Sequence, residues 1–328
     1  MIIELVLLVI GSLLIIKGSE WVTDAAAVSS TLFKTSHIAI GLIIVSALTS
    51  LPELVVAIFS ISKGHSDIGI GVTLGSIIIN IGFIIGLSAI IRPLKVPRHV
   101  ITRDAVFMVV ATAVVLLIAL EDSAVGRRDG FVFLLLYVPY LINVYEQEKQ
   151  LAEKERQHEA EMIIKTLEFL GKIGIPGVVI SDMRVIFVLG SILLLVGSQI
   201  FTDALINLAG MFAIPGIIIG LTVGAIGPSI PNLAAALQAV RKGYDELAVS
   251  ETIGANIFTL LVTMGVIAIL TPLSLDAKIT EITVPGIIII TGLFFVFILS
   301  GKISKIAGFL LLSVYIITMI LQFGLGIA

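Results

Sequence analysis

Two stretches decide the fold: GLIIVSALTSLPEL (residues 41–54) and GLTVGAIGPSIPNL (residues 220–233) share one pattern at an offset of 179 positions. The match continues without a gap over Gly41–Pro93 and Gly220–Pro272, with glycines and prolines at matched places. Apolar helices that Gly and Pro interrupt at corresponding places in two halves are typical of secondary transporters, whose binding site lies between the repeats. The repeat therefore predicts a duplicated membrane protein with a central site.

Composition supports a membrane location. The chain is 58% hydrophobic and 13% charged, with a mean hydropathy of +1.18, which lies outside the range of soluble domains. Its apolar stretches have the length that a helix needs to cross a hydrocarbon core of about 30 Å, and they lack the alternation of barrel strands. We expect an all-α integral membrane protein whose partners are the lipid bilayer and inorganic cations, and the sequence points to no protein partner.

Charge and cysteine content exclude other classes. The net charge of −3 and the scattered Lys and Arg residues argue against a nucleic-acid partner. The absence of cysteine excludes disulfides and thiolate metal sites. The sequence has no nucleophile with a base, no phosphate loop and no metal-hydrolase spacing, so we expect neither an enzyme nor a cofactor.

The apolar runs predict ten transmembrane helices, five in each half. Residues 1–145 form the first half, residues 184–328 the second, and residues 146–183 a charged linker with helix-forming composition. The predicted spans are approximately 2–32, 37–61, 67–91, 102–120, 129–147, 184–212, 215–240, 246–271, 282–300 and 303–325.

An odd number of helices per half makes the second repeat enter the membrane from the opposite side, so the repeats are expected to be inverted. Loops after the odd-numbered spans carry fifteen Lys and Arg residues, against four on the other face. Without the linker the ratio is 9 to 4. The positive-inside rule then places the N-terminus outside and the linker in the cytoplasm of a cell-membrane protein.

The second predicted span concentrates polar groups that are costly at bilayer depth. Thr49, Ser50 and Glu53 lie within two turns, and Thr49 and Glu53 share a helix face because they are four residues apart. Pro52 has no N–H to donate, so a carbonyl oxygen near Ala47 or Leu48 is released. Carboxylate, hydroxyl and carbonyl oxygens together suit a hard cation.

The third span adds Ser76 and Asn80, again four residues apart. The glycines around them fit close helix packing, but packing alone explains neither Asn80 nor Glu53 in an apolar setting. We therefore predict that both spans contribute oxygen ligands.

The second repeat is chemically weaker. Asn232 stands opposite Glu53, Pro228 opposite Thr49, and Thr259 opposite Asn80, whereas Ser229 matches Ser50. Two interpretations of Glu251 stay open: it supplies a second carboxylate near the site, or it lies at the membrane surface.

Charged groups on the first and sixth spans also allow two interpretations. Lys17 and Glu20, three residues apart, either neutralise one another or guide ions. Asp24 and Asp203, which match across the repeat, favour a capping or solvated role.

From Gly41 to Asn80, the sequence resembles the first repeat of the calcium/cation antiporter superfamily, and it is most similar to the sodium/calcium exchangers. The Thr-Ser-x-Pro-Glu segment at 49–53, Gly75-Ser76 and Asn80 carry the resemblance, and Lys17-Gly18-Ser19-Glu20-Trp21 is similar to the family's opening helix. The resemblance spans the whole chain apart from the central linker.

The resemblance implies ten helices in two inverted repeats, a site between helices 2, 3, 7 and 8, and sliding of helices 1 and 6. It implies Glu53 as a calcium ligand and assigns oxygens for calcium or sodium to Thr49, Ser50, Ser76, Asn80 and Ser229. The chain departs from the family pattern in the second repeat, where Pro228 and Asn232 replace Thr and Glu, Ala255 replaces a serine, and Thr259 replaces an acid or amide.

These observations predict a secondary antiporter that exchanges calcium for sodium at one oxygen-lined site. Two alternatives stay open at this point. One is a proton/calcium exchanger that protonates Glu53 or Glu251, and the other is a cation channel or sensor with a degenerate second repeat.

Overall fold

The computed structural model describes residues 1–32, 46–121, 123–150, 183–275 and 279–326. The predicted start of the second span and most of the predicted linker lie outside these residues, and so does the side chain of Asp24.

The described chain is almost entirely helical, as hydrophobic runs without regular polar alternation require. Each predicted span contains helix. The boundaries differ from the predicted ones by a few residues, except at the start of the second span, where α2 begins at Leu51 and the predicted start near residue 37 lies outside the described residues. The helices are α1 Ile2–Leu32, α2 Leu51–Ser62, α3 Ser66–Ile91, α4 Arg98–Glu121, α5 Arg127–Gln150, α6 Met183–Phe212, α7 Gly216–Ile219 with Gly220–Gly224 and then Ile230–Lys242, α8 Asp245–Leu270, α9 Ile279–Ile298 and α10 Lys305–Gly326.

Seven of the helices in the described residues are long and apolar enough to cross a membrane, namely those over Ile2–Val22, Ser66–Ile91, Arg98–Glu121, Val185–Phe212, Asp245–Leu270, Ile279–Ile298 and Lys305–Gly324. In the most apolar 18-residue stretch of α3, and in that of α8, 78% of the stretch is buried, against 22% in α1. α3 and α8 are therefore central, while α1 leaves most of its apolar surface outward. The expectation of an all-α, multi-pass membrane protein is confirmed.

Irregular turns recur at matched places in the two halves. π-helical turns occupy Ile79–Ile85 in α3 and Thr259–Thr263 in α8. Another pair occupies Ile101–Ala105 in α4 and Ile279–Thr283 in α9. A π-turn adds a residue to a helical turn and often marks a functional site. Both turns of the first pair lie within central helices.

Short antiparallel strands join the loops. β1 Leu94–Lys95 pairs with β4 Lys302–Ile303, and β2 Ala124–Val125 pairs with β3 Leu273–Ser274. β1 follows α3 and β4 precedes α10, so the first pairing brings two loops after odd-numbered helices to one end. The second pairing joins two loops after even-numbered helices.

α1 and α6 pack against each other in opposite directions through glycines. A Cβ added at Gly11 would lie 2.7 Å from the backbone nitrogen of Phe201, and one at Gly197 would lie 2.7 Å from the Cβ of Leu14. Gly18 meets the backbone of Leu194. Small residues at such seams let helices approach closely within a membrane.

α3 packs equally closely on the first part of α7. A Cβ at Gly75 would lie 2.5 Å from the carbonyl oxygen of Leu221 and 2.7 Å from the Cβ of Ala225. This contact fixes the distance between the helices that carry Ser76 and Ser229.

We predict that Gly75→Ala destabilises the protein by about 2 kcal/mol, because the added methyl group forces two backbones apart. Gly292→Ala is the matched control: among the described residues, no atom beyond its own stretch of helix lies within 4 Å of its added Cβ, so stability should stay the same or rise slightly. Thermal unfolding in detergent measures both. Equal melting temperatures for the two variants would contradict the prediction.

Candidate functional site

The site begins at two helix interruptions. α2 starts after Ser50, with Pro52 in its first turn, and the second part of α7 starts after Ser229, with Pro231 in its first turn. A proline is tolerated in a first helical turn because the N–H that it lacks has no intrahelical partner there. The breaks lie 179 residues apart, so they are counterparts in the repeat.

Glu53 lies at the centre of the site. It is fully buried in the first turn of α2, where the positive end of the helix dipole favours a carboxylate. Ser229 Oγ and Asn232 Nδ2 donate to Glu53 Oε1 over 3.0 and 3.1 Å. Ser229 Oγ also lies 3.4 Å from Ser76 Oγ. The structure thus brings residues of α2, α3 and α7 together, as the sequence predicts.

Glu251 lies beside this centre and is not at the surface. It is 3% exposed, and Thr49 Oγ1 donates to its Oε1 over 2.9 Å. Ser46 Oγ donates to the backbone oxygen of Glu251 over 3.3 Å. The surface interpretation of Glu251 is therefore wrong, and α8 contributes a carboxylate next to the first repeat's Thr49.

Asn256 is a residue that comparison of the two repeats misses. Asn80 Nδ2 donates to Asn256 Oδ1 over 3.0 Å, and both side chains are fully buried. The 179-residue offset aligns Asn256 with Ile77, so the repeat gives no reason to select it. The signal that finds it is simpler: an amide inside an apolar helix is costly unless it binds something.

Three predicted residues make no side-chain hydrogen bond to any part of the chain that the structure describes. Ser50 and Thr259 are fully buried, and neither hydroxyl has a partner. Ala47 is partly buried in the helical turn before Ser50. Its predicted contribution is a backbone oxygen, which involves no side-chain contact.

Six buried side-chain oxygens around this centre have no hydrogen-bond partner among the described residues: Ser50 Oγ, Glu53 Oε2, Asn80 Oδ1, Asn232 Oδ1, Glu251 Oε2 and Thr259 Oγ1. Buried polar atoms are normally satisfied, so each of these is costly to leave unpaired. Acceptor oxygens without donors are what a hard cation binds. In the part of the chain that is described, no three His, Cys, Asp or Glu side chains group as a metal site, and the other oxygens at this centre belong to hydroxyl and amide groups.

Other buried acidic groups have basic partners. Lys17 Nζ lies 2.7 Å from Glu20 Oε2, which supports mutual neutralisation of that pair. Arg103 forms a bidentate pair with Asp104, and Arg92 Nε lies 3.5 Å from Asp245 Oδ1.

Among the buried acids that the structure describes, only Glu53 and Glu251 have no recorded basic partner. Asp203, inside α6, pairs with Lys63, so it does more than face solvent.

Comparisons with known proteins agree with this arrangement. The family model described as "Sodium/calcium exchanger protein" matches residues 3–145 and 184–324. The chain is 34% identical to the inner membrane protein YrbG of Escherichia coli K12, over 84% of this chain and 82% of that one. It is 26% identical to the sodium/calcium exchanger MaX1 of Methanosarcina acetivorans, over 98% and 99% of the two chains.

A solved structure has the same fold. The sodium-calcium exchanger NCX_Mj, soaked with 10 mM Na+ and no Ca2+, superposes with a TM-score of 0.67 over 97% of this chain and 98% of that chain, at 25% identity. The family match covers both halves of the sequence, and it falls on the helices that build the oxygen-lined centre. The chain belongs to the sodium/calcium exchanger family of membrane transporters.

Proposed function

We propose that this protein exchanges calcium for sodium across the cell membrane by alternating access at the centre around Glu53. The observation that carries the proposal is the presence of two buried carboxylates without basic partners, among hydroxyl and amide oxygens from α2, α3, α7 and α8. A cation is the group that such a set of acceptors lacks.

We propose the following ligands. Glu53 binds either ion and makes their binding mutually exclusive. Oxygens come from Thr49, Ser50, Ser76, Asn80 and Ser229, with the backbone at Ala47. Asn232, Thr259 and Glu251 complete the site from the second repeat, and Asn256 orients Asn80 through its 3.0 Å hydrogen bond.

The proposed architecture has ten transmembrane helices in two inverted repeats, over 1–145 and 184–328, with a cytoplasmic linker at 146–183 and the N-terminus outside. Two observations support it. α1 and α6 are counterparts that run in opposite directions, and the loop strands pair odd with odd and even with even.

Alternating access requires a moving element, because the site is sealed. Glu53, Ser50, Ser76 and Asn80 have no exposed surface. The α1–α6 pair is the element best suited to move, since its glycine seam makes it one unit with mostly outward-facing apolar surface. Phe201 of this pair contacts Gly227 at the α7 break, so a shift of the pair reaches the site directly.

A pocket of about 730 Å³ between α1, α3, α6 and α7 lies at the proposed outer end, and Glu4 and Asp67 line it. Acidic groups at a mouth concentrate cations there. We propose that it forms part of the outer entry route.

Proton coupling is the second candidate, because an unpaired buried carboxylate can hold a proton in place of a metal ion. The two candidates differ in the gradient that drives calcium against its own concentration difference: a pH gradient for proton coupling and a sodium gradient for sodium coupling.

We expect a sodium gradient to drive calcium accumulation in proteoliposomes, and a pH gradient in sodium-free buffer to drive none. The measurement is radiolabelled calcium uptake against a calcium gradient, with empty liposomes as the control. Uptake driven only by the pH gradient would establish proton coupling. Calcium that only equilibrates, whichever gradient is imposed, would indicate a channel.

A further inference from the structure

We propose that Lys63 and Asp203 form a latch, which holds the α1–α6 pair to α2 in the conformation of this structure and opens each time the pair moves. Both are positioning residues, because they act on where α6 lies and not on the ions. The proposal rests on the proposed exchange function and names a contact that has to break during transport.

The ion pair joins a helix of the proposed moving unit to a helix outside it. Asp203 lies inside α6, and Lys63 directly follows α2, which carries Glu53 in its first turn. By contrast, the ion pair of Arg92 with Asp245 joins the end of α3 to α8, and neither helix belongs to the moving unit. The Lys63–Asp203 contact therefore lies where movement of the unit would be felt.

Around this ion pair, α2 and α6 meet through apolar side chains. Val56 of α2 lies in one buried cluster with Phe201 and Leu205 of α6. Apolar contacts are non-directional, so several positions of α6 along its axis have similar energies. An ion pair is satisfied in one position, and a slide of one helical turn, about 5.4 Å, would separate its charges. The Lys63–Asp203 pair therefore selects one position of α6.

The exposure of the pair suits a contact that forms and breaks. The side chains of Lys63 and Asp203 are 28% and 48% exposed, so both charges can be solvated after they part. An exposed ion pair shifts an equilibrium by about fivefold at most, which a transport cycle can overcome. The Arg103–Asp104 pair, at 4% and 0% exposed, would leave buried charges behind and suits a permanent contact.

The moving unit obeys the symmetry of the repeat contact by contact. A Cβ added at Gly11 would lie 2.7 Å from the backbone nitrogen of Phe201. The 179-residue offset relates these residues to Gly190 and Val22, and a Cβ at Gly190 would lie 2.9 Å from the backbone nitrogen of Val22. A contact of α6 at one end of the unit therefore predicts a matched position on α1 at the other end.

The sequence carries both members of the latch to that other end. The offset aligns Lys63 with Lys242 and Asp203 with Asp24. Each lysine is followed by a glycine with a left-handed φ, +84° after the first and +86° after the second, so the two helices end alike. In an inverted-repeat transporter, the two repeats exchange roles between the two conformations of alternating access. The sequence therefore predicts that positions 24 and 242 serve the opposite conformation.

Reversible cross-linking tests the latch on the full-length protein. The chain has no cysteine, so Lys63→Cys with Asp203→Cys introduces its only two thiols. A short bis-methanethiosulfonate reagent links them, and a reductant releases them. Sodium-driven uptake of radiolabelled calcium is measured in proteoliposomes before linking, after linking and after reduction. Calcium binding is measured on the same three samples in detergent.

We expect linking to reduce uptake to the level of empty liposomes and reduction to restore it, while calcium binding persists throughout. The unlinked variant should keep at least about one fifth of wild-type uptake, because the loss of an exposed ion pair shifts an equilibrium by about fivefold at most.

Lys95→Cys with Lys302→Cys is the matched control. These residues are register partners in the β1–β4 pair, so a short link can join them, and neither strand belongs to α1 or α6. The same treatment should leave uptake unchanged.

The possible outcomes separate the latch from the exchange function. Uptake that survives linking of positions 63 and 203 would overturn the latch and leave sodium/calcium exchange intact. Loss of calcium binding on linking would overturn it too, since the contact would then act on the site and not on the movement. An inactive unlinked variant beside an active wild type would also overturn it, because a contact that opens in every cycle cannot be essential for transport. Absence of sodium-driven uptake by the wild type would overturn the exchange function itself.

Discussion

Glu53→Gln is expected to abolish sodium-driven calcium uptake in proteoliposomes. The substitution keeps the shape of the side chain but removes one of the two buried acidic groups that have no basic partner in the described part of the chain. It also turns an amide N–H₂ group toward the proposed cation position. Affinity for a hard cation depends on the number of charged ligands, so we expect calcium binding to weaken about 100-fold and exchange to become undetectable.

Glu281→Gln provides the control for that experiment. Glu281 is an exposed acid in the π-turn at the start of α9, so the same chemical change there should leave uptake unaltered. Thermal unfolding separates loss of binding from loss of folding, and Glu53→Gln should not lower the melting temperature, since it removes an uncompensated buried charge. Wild-type uptake by Glu53→Gln would remove this residue from the site.

The first-repeat part of the candidate site was predictable because its polar residues stand out in an apolar sequence. Thr49, Ser50 and Glu53 are polar residues inside an apolar run, and Pro52 marks the break that exposes them. The cost of polar groups in a bilayer makes such a cluster informative without any structure. The helix boundaries were predictable for the same reason, since apolar length sets them.

The second half of the site was less predictable because its chemistry does not follow its symmetry. The 179-residue offset aligns Asn256 with Ile77 and Glu251 with Val72, which are apolar. The comparison of repeats that locates Asn232 and Thr259 therefore does not identify Asn256 or Glu251. The π-turns at Ile79–Ile85 and Thr259–Thr263 change the direction of side chains along α3 and α8. Predictions of which residues share a helix face, made from straight-helix spacing, therefore lose accuracy at the proposed ligand positions.

A buried ion pair next to the site provides the second large effect. Arg103 Nε and Nη2 donate to Asp104 over 2.7 and 2.9 Å, and these residues are 4% and 0% exposed. Tyr140 and Ser250 donate to the same carboxylate over 3.3 and 3.0 Å. Asp104 therefore joins α4, α5 and α8, and its partner on α8, Ser250, directly precedes Glu251 in the sequence.

Asp104→Asn is expected to lower the free energy of unfolding by about 4 kcal/mol, because the buried Arg103 guanidinium loses its carboxylate. Thermal and denaturant unfolding in detergent measure the change. Ser250→Ala, which removes a single donor and leaves the ion pair in place, should cost only about 1 kcal/mol.

The double variant Arg103→Met with Asp104→Leu separates the contribution of the ion pair to stability from that of the hydrogen bonds to Asp104. Removing both charges replaces a desolvated pair with apolar groups of similar size, so most of the stability lost in Asp104→Asn should return. If the double variant is as unstable as the single one, the hydrogen bonds from Tyr140 and Ser250 hold the three helices together, and the ion pair does not. Recovery of stability together with altered calcium affinity would mean that Asp104 acts on the site through Ser250, because that hydrogen bond sets where α8 places Glu251.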